Sequence, residues 1–383
     1  MGRRPGGGRR RGGCDLLHAV GEVYTVADSM DARKAVDILS GRRGGAGAAL
    51  LRGVLRAASW PYAGAMRLRR WAYRRGLLKS RAASVPVICV GNLTTGGTGK
   101  TPMVVWVVER LKEAGRRPAV LTRGYGAAPA EGARVVGEAA ADEPALLERL
   151  TGAAVIVSAD RVAGAEKAVA GGADVLVMDD GYQHRRLRRD LDIVLIDAVE
   201  PLGFGYCLPR GLLREPASAL ADAGAVVLTH ADEVSGEALS ALAERLRALA
   251  AGAAFCTAVH ASAGLIDGDG RDRPVSDLVG RRVFAFCGLA APEHFFAALS
   301  GLGAVPAGRR ALADHVVYTP QRLAELAAEA DAADAEILLT TQKDHVKLAG
   351  MDVPRPIWQL AVRMEVTGGA DALVGLVRAA AGA

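Results

Sequence analysis

The chain has 383 residues, half of them apolar, which is enough for two or three domains with a sizeable hydrophobic core. Residues 1–13 are mostly arginine and glycine with no apolar stretch behind them, and no segment has about 20 uninterrupted apolar residues, so we expect a protein that is neither secreted nor membrane-spanning. The 48 Lys and Arg exceed the 42 Asp and Glu and are clustered, which favours an anionic partner such as a membrane surface, a phosphorylated ligand or nucleic acid.

The first part of the chain, residues 1–46, is rich in glycine and arginine and has no apolar periodicity apart from a short run at 35–39. A segment of this composition cannot bury enough apolar surface to offset the entropy lost when the chain is ordered. We therefore predict that residues 1–46 form a disordered extension.

The sequence changes character in residues 47–84, where an apolar pattern is followed by a basic segment. The apolar and aromatic positions are Leu50, Leu51, Val54, Leu55, Ala58, Trp60, Tyr62, Trp71 and Tyr73. The basic positions, with no acid among them, are Arg67, Arg69, Arg70, Arg74, Arg75, Lys79 and Arg81. This combination is typical of a helix lying in the interface of an anionic membrane. A helix packed on the protein with a solvated basic face gives the same pattern, and Pro61 predicts a break or kink.

A glycine-rich segment lies between a short apolar run, 87–90, and a longer one, 103–111. This order predicts a strand, a phosphate-binding loop and a helix. The usual motif begins with glycine where this chain has threonine, so the next two glycines must supply the turn. The residues predicted to hold the phosphates are Thr94, Thr95, Gly96, Gly97, Thr98, Gly99, Lys100 and Thr101. Among them, Lys100 can reach the β- and γ-phosphates, and the Thr101 hydroxyl can bind Mg²⁺.

Strand and helix patterns alternate along the rest of the chain. The predicted strands are 118–122, 155–158, 175–178, 193–196, 226–229, 283–286 and 337–340, and the predicted helices include 142–150, 160–170, 239–249 and 321–333. Such alternation predicts a parallel sheet covered by helices on both faces, with ligands bound beyond the carboxyl ends of the strands. The stretch 267–274, rich in Gly and Asp, is interpreted as a linker to a second, smaller α/β lobe.

Two acids, Asp179 and Asp180, end the apolar strand that begins at Val175. Downstream of a phosphate loop, this pattern is typical of a Walker B site, in which a carboxylate holds Mg²⁺ directly or through water. Four arginines follow, at 185, 186, 188 and 189. Arginine forks suit phosphates, although a run of charges is more often a solvated surface. The loop 209–216 also carries arginines and, taken alone, is interpreted as structural.

Several motifs resemble those of one family, the tetraacyldisaccharide 4′-kinases, also called lipid A 4′-kinases. The stretches that carry the resemblance are GLLKS (76–80), VGNLTTGGTGKTP (90–102), TRGYG (122–126), DEP (142–144), ADR (159–161), DDGYQHRRLRRDLDIVLID (179–197), LPRGLLREP (208–216), DH (314–315) and TTQKD (340–344). They occur in the family's order, between about residue 48 and about residue 362. The arginine-rich DDGYQH stretch after a phosphate loop is the most specific of them.

The resemblance implies a kinase that uses ATP and Mg²⁺ to phosphorylate the 4′-hydroxyl of a tetraacylated glucosamine disaccharide 1-phosphate, in lipid A biosynthesis at the cytoplasmic face of the bacterial inner membrane. It implies an α/β fold with a phosphate-loop α/β/α sandwich (85–266), a second, smaller α/β lobe (267–383) and an N-terminal interfacial helix.

Site residues are also implied by the resemblance. Asp142 and His315 match the family's catalytic pair, in which the histidine orients and tunes a carboxylate that accepts the proton of the sugar hydroxyl. Lys100 is the third catalytic residue implied, and Thr101, Asp179 and Asp180 are the implied metal ligands. The implied substrate-binding residues are Arg123, Tyr125, Arg161, Gln183 and His184. From the residues alone, Asp142 would be a helix N-cap and His315 an ordinary polar histidine.

Two other functions share parts of this pattern. A phosphate-loop ATPase or GTPase of another class would have the same loop and Walker B acids, but it would have no use for an interfacial helix. A nucleic-acid-binding protein would explain the arginine runs at 3–11 and 185–189. It is disfavoured because only 4% of the chain is aromatic and neither run interleaves aromatic residues for base stacking.

Overall fold

A computed structural model describes residues 29–123, 133–136, 143–314 and 316–383. Three residues with predicted roles, Tyr125, Asp142 and His315, lie outside this part of the chain, as do residues 1–28 of the predicted extension.

The strands alternate with helices along the chain. The strands are β1 (Val87–Asn92), β2 (Pro118–Thr122), β3 (Arg134–Val135), β4 (Ala154–Val157), β5 (Val175–Asp179), β6 (Leu191–Asp197), β7 (Ala225–Thr229), β8 (Ala254–Ile266), β9 (Asp272–Arg273), β10 (Arg282–Cys287), β11 (Val305–Ala311), β12 (Ile337–Thr341) and β13 (Ile357–Gly368). The α-helices are α1 (Ser29–Ser40), α2 (Ala46–Arg74), α3 (Lys100–Glu113), α4 (Glu143–Thr151), α5 (Arg161–Ala170), α6 (Gly236–Arg247), α7 (Pro292–Gly301), α8 (Pro320–Ala332), α9 (Gln342–His345) and α10 (Ala370–Ala381). The predicted α/β fold is confirmed.

The strands of the described residues form one sheet in the order β11-β10-β12-β13-β8-β7-β6-β1-β5-β2-β4-β3, with β9 paired to β8. Most neighbours are parallel, as predicted, but β13 runs antiparallel to β8, as β9 does to β8 and β3 to β4. The first residues of β8 pair with β7 and the remainder pairs with β13. The long strand β8 therefore joins two halves of the sheet without a break: a first half formed by β7, β6, β1, β5, β2, β4 and β3, and a second half formed by β13, β12, β10 and β11.

Each half of the sheet has one cluster of buried apolar residues on each of its two faces, which makes four clusters in all. In the first half, α3 and α10 pack on one face of the sheet, while α5 and α6 pack on the other. In the second half, α7 and α8 take the corresponding positions. Residues 267–271 are a tight turn, closed by the bond from Asp267 N to Arg271 O at 2.9 Å, where a linker was expected. The predicted division of the chain into two lobes at residue 267 stays a prediction, because a single sheet runs through both parts.

The N-terminal segment differs from expectation at two places. Ser29–Ser40 is helical where disorder was predicted, and its Leu39 is buried and accepts a hydrogen bond from Arg210 Nη1 at 2.7 Å on its carbonyl. The prediction missed this contact because its partner is remote in sequence. The α2 helix also continues through Pro61, so of the predicted break or kink the break does not occur, and the kink stays a prediction.

One face of α2 packs on the first half of the protein. Ala63 is buried, Tyr62 Oη donates to Arg214 O at 2.9 Å, and Arg70 Nε donates to Asp222 Oδ2 at 2.7 Å. Elsewhere on the helix large apolar side chains are exposed, among them Leu50 and Trp60. None of the helices in the described part of the chain has both the length and the apolar character needed to cross a bilayer.

Candidate active site

The phosphate loop lies at the carboxyl end of β1, in the middle of the sheet. Gly99 has a left-handed backbone (φ 81°) at the N-cap of α3, so that Lys100 and Thr101 open the helix. The buried Asn92 side chain donates from Nδ2 to Thr98 Oγ1 at 3.0 Å, which ties the two ends of the loop together. The backbone N–H groups of a helix N-terminus at such a loop suit a phosphate.

The early part of the loop is held by a distant segment. Thr95 N donates to Leu212 O at 2.8 Å, Arg214 N donates to Leu93 O at 2.7 Å, and Thr94 forms an isolated bridge with Leu213. These contacts replace the support that a leading glycine turn would give. They also bring the Arg214 side chain to the end of β5.

Asp180 lies between two cations at the mouth of the phosphate loop. Arg214 Nη1 donates to both of its carboxylate oxygens at 2.9 Å, and Lys100 Nζ lies 3.8 Å from Oδ1. Burial acts to raise the pKa of Asp180, but these two charges outweigh it and hold the pKa well below its ordinary value. Asp180 is therefore a carboxylate at neutral pH.

Asp179, the last residue of β5, has a different environment. It is buried, and Thr122 Oγ1 donates to its Oδ2 at 3.2 Å. Burial, reinforced by the adjacent charge of Asp180, raises the pKa of Asp179 to about 6. Strongly shifted pKa values such as these are concentrated at functional sites.

Four of the predicted substrate-binding residues surround this end of the sheet. Arg123 follows β2, and Arg161 opens α5 with its guanidinium buried against Ser158 O and 3.5 Å from Asp179 O. Gln183 donates from Nε2 to Asn92 O at 2.9 Å. His184 is partly buried, and its burial, together with the charge of Arg161, lowers its pKa to about 4, so it is neutral at physiological pH.

The arginine run after DDGYQH is divided between the interior and the surface. Arg185 is buried and bonds Asp222 Oδ2 at 2.9 Å and Glu215 Oε2 at 3.1 Å, and Arg189 bonds Asp192 Oδ2 at 3.0 Å. Arg188 is exposed. The buried arginines hold the site together through carboxylates, which neither of the two interpretations of the run had predicted.

Replacing Arg185 with methionine is expected to lower the free energy of unfolding by about 3 kcal/mol, because it leaves Glu215 buried without its closest cation. Denaturant unfolding of the full chain measures this change. The exposed Arg188→Met is the matched control and should shift stability by less than about 0.5 kcal/mol. Equal small effects of both substitutions would show that Arg185 has no structural role.

A lysine joins the segments that carry the two catalytic residues implied by the motifs. Lys343 Nζ lies 2.6 Å from Glu143 Oε1 and 3.1 Å from Asp314 Oδ1. Glu143 is the neighbour in sequence of Asp142, and Asp314 is the neighbour of His315. This ion pair therefore links the first half of the protein to the second.

Comparison with known proteins tests the motif-based hypothesis. A family model described as tetraacyldisaccharide-1-P 4′-kinase matches residues 51–380. The chain belongs to this family. A tetraacyldisaccharide 4′-kinase of Anaeromyxobacter sp. (strain K) is 44% identical over 337 residues, which are 84% of this chain and 88% of the relative. That of Anaeromyxobacter dehalogenans (strain 2CP-C) is 46% identical over 302 residues, 75% of this chain and 79% of the relative.

A solved structure of a family member agrees with the fold. It is the "apo" form of LpxK from Aquifex aeolicus in complex with ATP, 29% identical, with a TM-score of 0.68, and the match covers 86% of this chain and 99% of that one. The predicted family and the predicted kinase class are confirmed. The competing hypothesis of a phosphate-loop ATPase or GTPase of another class is not needed.

The sequence analysis missed two features of the site in this chain. Arg214, in a loop interpreted as structural, binds Asp180 directly. His260 lies against the phosphate loop, since a Cβ added to Gly99 would come within 2.3 Å of its Nε2. Position in the LLREP motif was the only available signal for Arg214, and the sequence had none for His260.

Proposed function

We propose that the protein transfers the γ-phosphoryl group of ATP to the 4′-hydroxyl of a tetraacylated glucosamine disaccharide 1-phosphate. Membership of the 4′-kinase family is the observation that carries this proposal. The geometry supports it, because a phosphate loop, a lysine and two acids at the end of a neighbouring strand are the parts that phosphoryl transfer requires.

The proposed roles follow from charge and position. Lys100, at the start of α3, neutralises charge on the transferred phosphoryl group, and backbone N–H groups of residues 94–99 hold the other phosphate oxygens. Arg214 keeps Asp180 ionised and fixed in place until ATP is bound. Lys100 then exchanges its weak 3.8 Å contact with Asp180 for the nucleotide.

Magnesium fits the donor set at this site. The Thr101 hydroxyl and the carboxylates of Asp179 and Asp180 are hard oxygen ligands of the kind that Mg²⁺ prefers. The low pKa of Asp180 keeps one of these ligands charged, and a cation near Asp179 would favour the ionised form of that second acid. When bound, Mg²⁺ neutralises the charge that develops on the phosphates.

The proposed acceptor of the hydroxyl proton is the Asp142 carboxylate, oriented by His315. This assignment rests on the family motifs. It is supported by the Lys343 ion pair, which joins the neighbours of both residues in sequence. We propose Arg123, Tyr125, Arg161, Gln183 and His184 as contacts of the lipid substrate, four of which the structure describes around the end of β5.

A transfer assay tests the function. The protein is incubated with Mg²⁺, γ-labelled ATP and a detergent-dispersed tetraacyl disaccharide 1-phosphate, and the expected product is a lipid with a second, labelled phosphate at the 4′ position. The matched acceptor without a free 4′-hydroxyl should take up no label. ATP hydrolysis with no labelled lipid in either reaction would contradict the proposal.

We also propose that α2 rests on an anionic membrane surface, the cytoplasmic face of the inner membrane, where the lipid substrate is presented. Leu50 is 72% exposed, Val54 59% and Trp60 66%, and a basic segment with exposed arginines and lysine follows. The other face of α2 contacts the active site, since Arg69 Nη2 donates to Gln183 O at 3.0 Å. A lipid held beside α2 would thus lie close to the phosphate loop.

Replacing Leu50, Val54 and Trp60 together with serine is expected to weaken binding to vesicles of anionic phospholipid at least tenfold. Apolar burial contributes roughly 0.8 kcal/mol per CH₂, and each nearby basic residue about 1 kcal/mol. High salt should weaken binding of the unchanged protein without abolishing it, because salt screens only the charges. Vesicle flotation measures both effects.

The control for this experiment is Val279→Ser, which changes an exposed apolar residue in the second half of the protein. It should leave flotation unchanged. Deleting residues 1–46 should also leave vesicle binding largely intact, whereas deleting through Tyr73 should abolish it. Undiminished flotation of the triple serine variant would place the membrane contact elsewhere.

A further inference from the structure

Two histidines and two acids gather beside the phosphate loop, at the carboxyl ends of β6 and β7. Asp197 ends β6 and His230 follows β7, with Glu233 in the turn behind it. His294 comes from the first turn of α7, in the other half of the protein. None of these residues belongs to the phosphate-transfer machinery described above.

The spacing of three of these side chains matches a metal coordination shell. Asp197 Oδ2 lies 3.4 Å from His230 Nδ1 and 3.4 Å from His294 Nε2, and the three ligand atoms all lie within 4.8 Å of one another. Around a tetrahedral ion with bonds of about 2.0–2.1 Å, ligand atoms are roughly 3.3 Å apart. Two of the three edges therefore already have the required length.

Second-layer contacts orient the ligands. Val199 N donates to Asp197 Oδ1 at 2.9 Å, which leaves Oδ2 directed at both imidazoles. His294 Nδ1 lies 2.7 Å from both oxygens of Glu233, which fixes that nitrogen as the donor and leaves Nε2 for a metal. A carboxylate behind a metal-bound histidine is a recurrent arrangement in zinc sites.

His230 supplies an independent observation. Its side chain is buried, and within the described residues its Nδ1 makes no hydrogen bond of good geometry, only a long 3.4 Å approach to Asp197 Oδ2. Buried polar atoms without a partner are rare in proteins and call for an explanation. A metal ion bound to this nitrogen would satisfy it.

We propose that Asp197, His230 and His294 bind a divalent transition-metal ion of the zinc class, with Glu233 orienting His294. Two imidazole nitrogens favour zinc or its first-row neighbours over Mg²⁺, so this site is chemically distinct from the phosphate-transfer centre. The ion would connect the end of β6 and β7 to α7 and so clamp the two halves of the sheet beside the phosphate loop.

One local rearrangement accompanies binding. The rings of His230 and His294 are stacked, 3.8 Å apart with planes only 5° from parallel, so a single ion cannot lie in both planes. Binding one ion therefore requires the partly exposed His294 ring to turn out of this stack, with the Glu233 side chain following its Nδ1. Without a metal, burial disfavours the charged ring, but Asp197 and Glu233 outweigh it and raise the pKa of His294 to about 9. A metal must displace that proton.

The test uses the full chain without an affinity tag, freed of metal by a chelator. Isothermal titration with Zn²⁺ is expected to show one site per chain, while Co²⁺ should give the visible absorption of a tetrahedral centre. His230→Gln and His294→Gln should each weaken Zn²⁺ binding at least a hundredfold. Glu233→Gln, which leaves the three ligands in place, should weaken it about tenfold.

The matched control is His345→Gln, in the α9 turn of the second half, which should bind Zn²⁺ as the unchanged protein does. Each variant is first checked for folding by circular dichroism. Its Tm should also respond to Mg²⁺ as that of the unchanged protein does. Zn²⁺ should raise the Tm of the unchanged protein and of His345→Gln, but not that of His294→Gln. Absence of stoichiometric binding, or binding that survives both ligand substitutions, would overturn the proposal and leave the cluster as an ion pair of His294 with two carboxylates.

Discussion

Replacing Lys100 with alanine is expected to lower kcat at least about a hundredfold while the protein stays folded. Lys100 begins α3 at the phosphate loop, and its ammonium group is the cation of that loop that faces the Walker B acids, 3.8 Å from Asp180. Loss of one such electrostatic contact to a developing charge typically costs about 3 to 4 kcal/mol in the transition state. Initial rates of lipid phosphorylation at saturating ATP measure the effect.

Asp180→Ala should give a loss of similar size, for a related reason. It removes a proposed metal ligand and also the carboxylate whose two oxygens accept from Arg214 Nη1 at 2.9 Å. Lys167→Ala, which changes an exposed lysine near the end of α5, is the control and should retain full activity. Near-normal turnover of either site variant, with its fold intact, would contradict the proposal that Lys100 and Asp180 belong to the phosphate-transfer site.

The second large effect is expected from the proposed proton acceptor. Asp142→Ala and His315→Ala should each reduce kcat by about 10²- to 10⁴-fold, the range that general base catalysis contributes. If the histidine acts only by orienting and tuning the carboxylate, the double variant should be little worse than the worse single variant. A double-mutant cycle in kcat, measured with the lipid acceptor, gives this coupling directly.

The structure supplies the control for that cycle. Lys343 bonds Glu143 and Asp314, so Lys343→Met should disturb the placement of both residues of the pair without removing either. Its effect should be smaller than that of Asp142→Ala and should largely vanish in the Asp142→Ala background. Losses that multiply in full between Asp142 and His315 would show that the two residues act independently.

Local signals in the sequence determined the centre of the fold. The apolar run before the glycines and the Lys-Thr pair after them predicted β1, the phosphate loop and α3, because each depends on residues adjacent in the chain. For the same reason, the β5 strand and its terminal acids were predicted from one short run. Family motifs then indicated the kinase class, since they preserve the order and identity of the residues around those elements.

Tertiary structure alone decided which distant side chains meet at the site. Arg214 reaches Asp180 because residues 212–214 pair with the phosphate loop, and no spacing in the sequence predicts that pairing. Whether an arginine is solvated or buried in an ion pair depends on where the opposing carboxylates lie. Arg185 shows this, since its partners Glu215 and Asp222 come from a later loop.

The joining of the two halves and the histidine cluster also could not be predicted from local sequence. A single strand, β8, pairs with β7 at one end and with β13 at the other, and its sequence has the composition of any half-buried strand. His230 and His294 lie in unrelated local patterns, yet their rings stack 3.8 Å apart because β7 and α7 converge on one edge of the sheet. Periodicity and motif encode the elements of this protein, whereas contacts between its elements arise from packing the whole chain, because burial and pairing energies depend on partners far away in sequence.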